Sequence, residues 1–568
     1  MFDSRQVRRP PCGSAFITQT FHRRPSSMIV TLNRKVRDRI SASVPEVAKK
    51  CSPPRPGTGA PRGRKPNKTA LPESRLSDVA PTRSSFSPQI KTVVEAVGQR
   101  ILRSLFDTLE KAYAASPEGA VPRLLERDIP NWASHAGREV MEAIMLHERG
   151  FLGSTLVCPD CEKGLLKFQG DRPRGIRTMC GQIDIRRSYY ICNSCRKSVA
   201  PLDLQLGLDG TPDNLSDSGF LPGVQEVIAL AGSRLSFPDA TRLIAKVLPA
   251  PPSLRTLERI TRSLGSAVQC ERNRERREAY QDPVNSKFPV CEATTTPEVA
   301  VVAVDGGMCR MRSAAEPYRE FKMAVLGSLK PTPGRKKEDP PPFVLNKAYT
   351  ATFEGPDEVF KFCGLEFARL GLDRASVVQL LADGAPWIWN RTRDLAQPGQ
   401  RLIETLDFYH ACDHIREAAH AFFGPDSKEG RTWQKARQAQ LLAGRLGPFF
   451  TSLERLAQRS EKLGRGPEAE TIRSQKAYFQ ERRRMLNYKR CLDEGLLIGS
   501  GMIEGGIRFV GKDRLHRTGM RWSEAGAEAI LALRCIESSG RWERFCKKRE
   551  QARAARYQDF RQTTARAA

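Results

Sequence analysis

The sequence predicts a multidomain α/β protein, in which a mixed β-sheet core is interrupted by an all-helical insertion and preceded by a cysteine-rich ribbon and a helical region. Three observations predict it. Between residues 299 and 383, three strand-like stretches, an amphipathic helix and a further strand follow one another in order. Asp383 and Glu504 lie 121 residues apart, too far for an unbroken core, and the stretch from about 426 to 492 is charged with helical apolar spacing. Upstream, "CPDC" and "CNSC" set Cys158, Cys161, Cys192 and Cys195 in two C-x-x-C pairs. At 568 residues the chain has material for about three or four domains.

The charge balance points to a polyanionic partner. Lys and Arg number 93 against 64 Asp and Glu, a formal net charge of +29, and basic surface gains affinity by releasing counterions from phosphates. Nucleic acid is the expected partner rather than a membrane, because no apolar run approaches the roughly 18 residues that span a bilayer and the N-terminus has no apolar signal core. Fifteen cysteines, most of them scattered singly, fit reduced thiols. A soluble cytoplasmic protein, at the nucleoid in a bacterium, is the expectation.

Residues 1–90 carry 18 basic and 5 acidic residues among many Pro and Ser, too little apolar surface to offset chain entropy, and are read as a disordered basic arm or a dispensable tail. Residues 91–150 form a helical region, with Val94, Val97, Ile101, Leu105 and Leu109 at helical spacing; His135 and His147 are read as ordinary helix residues. Residues 151–215 hold the two knuckles, whose four thiolates suit one tetrahedral structural Zn²⁺, as in a zinc ribbon. The 30 residues between the knuckles imply a long hairpin, and Cys180 is left out as an odd fifth. In 216–290, helices broken by "PAPP", the later one opened by Ser253 and bearing Arg255, Arg259 and Arg262, read as a helix-turn-helix-like DNA-binding region or as a linking helical bundle.

Residues 291–425 and 493–545 make up the sheet core, with 426–492 as the helical insertion and 546–568 as a basic tail. The strand order resembles the ribonuclease-H-like fold, in which the first and fourth strands are neighbours, so Asp305 and Asp383, each ending a strand and followed by Gly, are expected to meet. Paired carboxylates repel and share divalent cations; a third completes an oxygen pocket for two Mg²⁺ or Mn²⁺ ions. Glu504 is that third residue. It lies among Gly501, Gly505, Gly506 and Gly511, each costing about 1 kcal/mol in a helix, which implies close packing of helix and strand. Glu504, Arg508 and Lys512 recur every four residues and share a face if helical.

"VAVDGG", "LADGAPWIW", "LDFYHACDHI" and "IGSGMIEGGIRFVGKDRLHRTGMRWSEAGAEAILALR", behind the C-x-x-C pairs, resemble the DDE transposases of prokaryotic insertion sequences, most closely the ISKra group, over roughly residues 90–545. The resemblance implies metal-dependent DNA cleavage and strand transfer, with Asp305, Asp383 and Glu504 as the acidic triad. It also implies His410, in "DFYH" with Asp407, near the scissile phosphate; the other reading of His410 is a packed histidine at a helix start. Element terminal repeats and target DNA are the implied partners, with at least a dimer to handle two ends. Arg508, Lys512, Arg514, Arg517 and Arg521, with Arg255 and Arg259, are read as DNA-binding. Trp522 is read as a platform for a flipped base or as a core aromatic. A non-catalytic DNA-binding protein and a nuclease without strand transfer are the alternative functions.

Overall fold

The computed structural model describes residues 88–565 except 117, 210–218, 283, 284, 335, 337 and 518. The expected N-terminal arm falls outside the described residues but for its last three. What is described lies within one compact unit, Ser84–Ala568.

Two helices come first, α1 (Pro88–Ala115) and α2 (Ile129–His147), packed on each other. The antiparallel ribbon follows in the order β1 (Thr155–Val157), β2 (Leu165–Thr178), β3 (Gly181–Cys192) and β4 (Ser198–Val199). The long spacer between the knuckles is the β2–β3 hairpin, which closes at Thr178↔Gly181. There Gly181 takes φ +119°, a conformation that L side chains rarely adopt. Cys180 occupies that tip and touches α2 at Gly137, a hairpin's length from the knuckles.

Helices α3 (Pro222–Arg234), α4 (Phe237–Val247) and α5 (Leu254–Tyr280) bury Val224, Ile228, Ala240, Ile244, Leu257 and Ile260 together. Ser236 and Ser253 cap α4 and α5 by accepting the Asp239 and Thr256 N–H groups.

The central sheet has the order β7-β6-β5-β8-β9, formed by β5 (Val299–Arg310), β6 (Tyr318–Leu329), β7 (Val344–Thr352), β8 (Val377–Ala382) and β9 (Arg401–Leu406). β5, β6 and β7 pair antiparallel, whereas β8 runs parallel to β5 and β9 parallel to β8. "VAVVAV" is a run rather than an alternation because β5 is covered on both faces. Val301 and Ala303 face one core, which includes Phe321, Met323 and Leu381, and Val302 and Val304 face Val359, Phe360 and Cys363 of helix α6 (Pro356–Leu370). Pro356 opens α6 and Gly371, at φ +64°, ends it in the left-handed conformation.

After β9 come α7 (Phe408–Phe423), α8 (Lys428–Leu442), α9 (Leu446–Lys462) and α10 (Gly466–Glu481). Phe449, Leu453, Ile472 and Phe479 from this group join the same core as Val301 and Ala303, so the helices are fused to the sheet rather than tethered to it. The chain returns through α11 (Gly501–Gly506), a π-helical turn (Ile507–Lys512), α12 (Glu524–Ser538) and α13 (Trp542–Ala565).

Candidate active site and cysteine cluster

The register brings Asp305 and Asp383 together. Val304 pairs with Ala382 across the parallel β5–β8 ladder, so each aspartate is the next residue beyond that pair. Asp305 Oδ1 accepts the Gly306 N–H at 2.6 Å and Asp383 Oδ1 the Ala385 N–H at 3.0 Å, while the second oxygen of each takes no hydrogen bond among the described residues. Burial pushes the Asp305 carboxyl up to about 6, against the Gly306 hydrogen bond; Asp383 adds to the rise and Lys512 opposes it. This group holds its charge at a cost, and a cation would offset that cost. The donor chemistry fits Mg²⁺ or Mn²⁺.

Glu504 lies exposed on α11, which packs with the π turn against β5 and β6. The close approach needs glycine. A Cβ on Gly506 would stand 2.8 Å from Val325 and 3.1 Å from Met323, the cross-strand partner of Asp305, and one on Gly511 would stand 2.4 Å from the Phe321 ring. Asp407 secures this segment: one carboxylate oxygen accepts the Tyr409 and His410 N–H groups and caps α7, and the other accepts the Ser500 N–H at 2.8 Å and the Ser500 hydroxyl. After Ile507 the helix widens into a π turn, so the expected uniform four-residue spacing is broken; Glu504, Arg508 and Lys512 are nonetheless all exposed, opposite buried Ile503, Ile507 and Val510. Among the described residues, only the four cysteines bring three or more candidate ligand atoms within 4.8 Å of one another. Glu504 thus shares the region of the two aspartates without converging on them in this way.

His410 is half-buried on α7, with Nε2 at 3.3 Å from His414 Nε2. Of the residues read as DNA-binding, Arg508, Lys512, Arg521 and Arg255 are exposed, and Arg259 and Arg517 are half-buried. Arg517 donates to the carbonyls of Asp513 and Arg234.

Two readings are corrected. Arg514 is fully buried: Nε donates to the Gly232 carbonyl at 3.0 Å, and the guanidinium lies between the Phe237 and Trp522 rings, 4.7 and 4.8 Å from their centroids. Burial, with Arg517 and Arg534 nearby, draws its pKa down to about 9, so it is charged at pH 7 yet cannot reach a phosphate. Trp522 is 4% exposed and donates its indole N–H to the Leu515 carbonyl at 3.0 Å, so it is a core aromatic with no face for a base. Arg514→Ala removes the donor to Gly232 and opens a gap between two rings, an expected loss of about 2–4 kcal/mol. Arg514→Met keeps the packing and is expected to cost about 1 kcal/mol. Urea unfolding checks the order; a folded Arg514→Ala protein of unchanged stability and weakened DNA affinity would contradict it.

Several side chains at this end of the sheet carry no sequence signal, since they lie far apart in the chain. Arg482 donates through Nε and Nη2 to the Gly384 carbonyl at 3.2 and 2.8 Å, and a Cβ on Gly384 would stand 2.4 Å from Tyr478 Oη. The residues after α10 and its last turn therefore rest on the loop of Asp383. On the opposite face of β6, Lys322 is paired with Glu320 at 2.5 Å and lies over the Trp387 ring at 4.3 Å.

The cysteine cluster is compact. Cys158 Sγ and Cys195 Sγ are 3.7 Å apart, as are those of Cys161 and Cys192; a tetrahedron with metal–sulfur bonds of about 2.3 Å has S···S edges of about 3.8 Å. The N–H groups of Ser194 and Cys195 point at Cys192 Sγ at 3.4 Å each, which favours thiolate. Burial raises Cys158 to about 12, while at Cys161 burial is outweighed by the Lys163 and Gly164 N–H groups, which bring it down to about 6. The cluster is compatible with structural zinc.

Fold and site together define a mixed α/β protein with two carboxylates at the ends of adjacent parallel strands and a four-cysteine cluster upstream. No protein-family profile matches the chain. The UPF0236 protein in the vanSb 3' region of Streptococcus gallolyticus is 21% identical over 372 residues, 65% of this chain and 74% of that protein. UPF0236 is a family of transposase-like proteins, and this chain is distantly similar to one of them. No described helix is long and apolar enough to cross a membrane.

Proposed function

We propose that this protein is an insertion-sequence transposase of the DDE type, akin to the ISKra group, with a ribonuclease-H-like core. The observation that carries the reading is the β5–β8 register, which sets Asp305 and Asp383 side by side beneath the helix of Glu504. Strand order β7-β6-β5-β8-β9 with β6 antiparallel supports the fold name. Asp305, Asp383 and Glu504 would hold the cations. Two Mg²⁺ or Mn²⁺ ions supply, when bound, activation of the attacking oxygen and stabilisation of the leaving oxygen of a phosphodiester. Lys512, Arg508 and Arg521 hold DNA phosphates, and His410 stands by the reacting strand. The four cysteines hold Zn²⁺ and keep the ribbon folded. The substrates are element terminal repeats and target DNA, acted on by at least a dimer in the cytoplasm.

The test is cleavage and joining of duplexes carrying the flanking element ends, with Mg²⁺ or Mn²⁺, in wild type and Glu504→Gln at equal zinc content. Joined products from the wild type and none from the variant are expected. Cleavage without joining would make the protein a nuclease. Binding without cleavage by either would make it a non-catalytic DNA-binding protein.

A further inference from the structure

Helix α10 of the insertion meets α7 at a chain of three side chains. Gln475 Oε1 lies 2.6 Å from His414 Nδ1, while Gln475 Nε2 is turned to Ser474 Oγ at 3.5 Å. An amide oxygen only accepts, so His414 Nδ1 carries the hydrogen. The other nitrogen of a neutral imidazole is then an acceptor, and His414 Nε2 stands 3.3 Å from His410 Nε2. Burial, with His410 beside it, draws the His414 pKa below the usual imidazole value despite the Gln475 hydrogen bond, so its ring stays neutral at pH 7. Tyr478 stacks on the His414 ring at 3.7 Å between centroids and 22° between planes, which fixes its orientation. The same Tyr478 rests on Gly384, beside Asp383, so the chain of contacts runs from the insertion to the aspartate loop.

We propose that Gln475 and His414 are positioning residues that hold His410 as its Nε2–H tautomer, leaving Nδ1 as the acceptor that this ring presents to DNA or to the attacking water. The relay gives the insertion a part in the active site, since Gln475 and Tyr478 both come from α10. Its consequence for catalysis rests on the transposase reading; the tautomer itself does not.

The experiment uses the full chain with ¹³C-labelled histidine, because the Cδ2 shift differs between the two neutral tautomers, and His410→Gln assigns the signal. Wild-type His410 is expected at the Nε2–H position. Gln475→Leu and His414→Phe, which remove the acceptors, are expected to move it toward the Nδ1–H position. With Mn²⁺ and element-end DNA, both variants should lower kcat about ten-fold while the Kd for DNA stays within about two-fold. An unmoved His410 signal in both variants overturns the relay, and a moved signal with unchanged kcat overturns its part in catalysis. If the wild type neither cleaves nor joins DNA, the transposase reading falls, while the tautomer shifts still decide the relay.

Discussion

Asp305→Asn is expected to lower metal-dependent strand cleavage about 10³-fold or more while making the protein more stable when no divalent cation is added. The two effects share one cause. Partial burial, with Asp383 beside it, raises the pKa of this carboxyl from 3.8 to about 6. A folded chain with a raised carboxyl value keeps a proton that the unfolded chain has released, so stability is lost as pH rises from about 4 through about 6. Asparagine removes that slope. At pH 7.5 the variant should gain about 1–2 kcal/mol over wild type, and at pH 4 the two should nearly coincide. The loss of activity follows because an amide is a poor ligand for a hard cation, and charge stabilisation of this kind is worth several kcal/mol in the transition state. Urea midpoints at pH 4 and 7.5, beside single-turnover cleavage, test both halves. A variant that cuts at the wild-type rate refutes the assignment of Asp305 as a ligand.

Cys161→Ser is the second large effect. Purified wild type is expected to carry one zinc atom per chain, and the variant close to none. Structural zinc contributes about 10–16 kcal/mol in finger peptides. The ribbon has other support, since Leu156, Leu166 and Tyr190 pack with Phe560 from α13, so a smaller local loss is expected. Amide exchange should show it: residues 155–199 lose protection by about 10³-fold or more, while β5 and β8 keep theirs. A metal-free wild type with a fully protected ribbon would show that the thiols need no ion.

How much was legible in the chain follows from how local each signal is. β5 announces itself as a buried run, and α6 as an apolar stripe between Pro356 and Gly371. The knuckles are legible because their chemistry is carried by four residues of one rare type. Glu504 was singled out through its glycines, of which Gly506 and Gly511 meet Met323, Val325 and Phe321, whereas a side chain on Gly501 or Gly505 would meet open space. Arg514 was misread for the same reason that Arg508 and Lys512 were singled out, and of the two readings of Trp522 the core aromatic holds. In a basic run, composition does not say which side chains turn inward, and the π turn alters the spacing that would have told them apart.

By itself, the sequence determined the kinds of element, the thiol cluster and a strongly basic surface, because local periodicity and composition set these. The strand order led to the expectation that Asp305 and Asp383 meet; only the tertiary structure decided the residue-by-residue register of β8 beside β5, that Arg514 is sealed between two rings, and that Gln475, His414 and Tyr478 meet the aspartate loop. Apart from Arg514 against Trp522, those are contacts between residues tens to hundreds of positions apart. They form where buried strands and helices must share one core, and no short-range pattern records them.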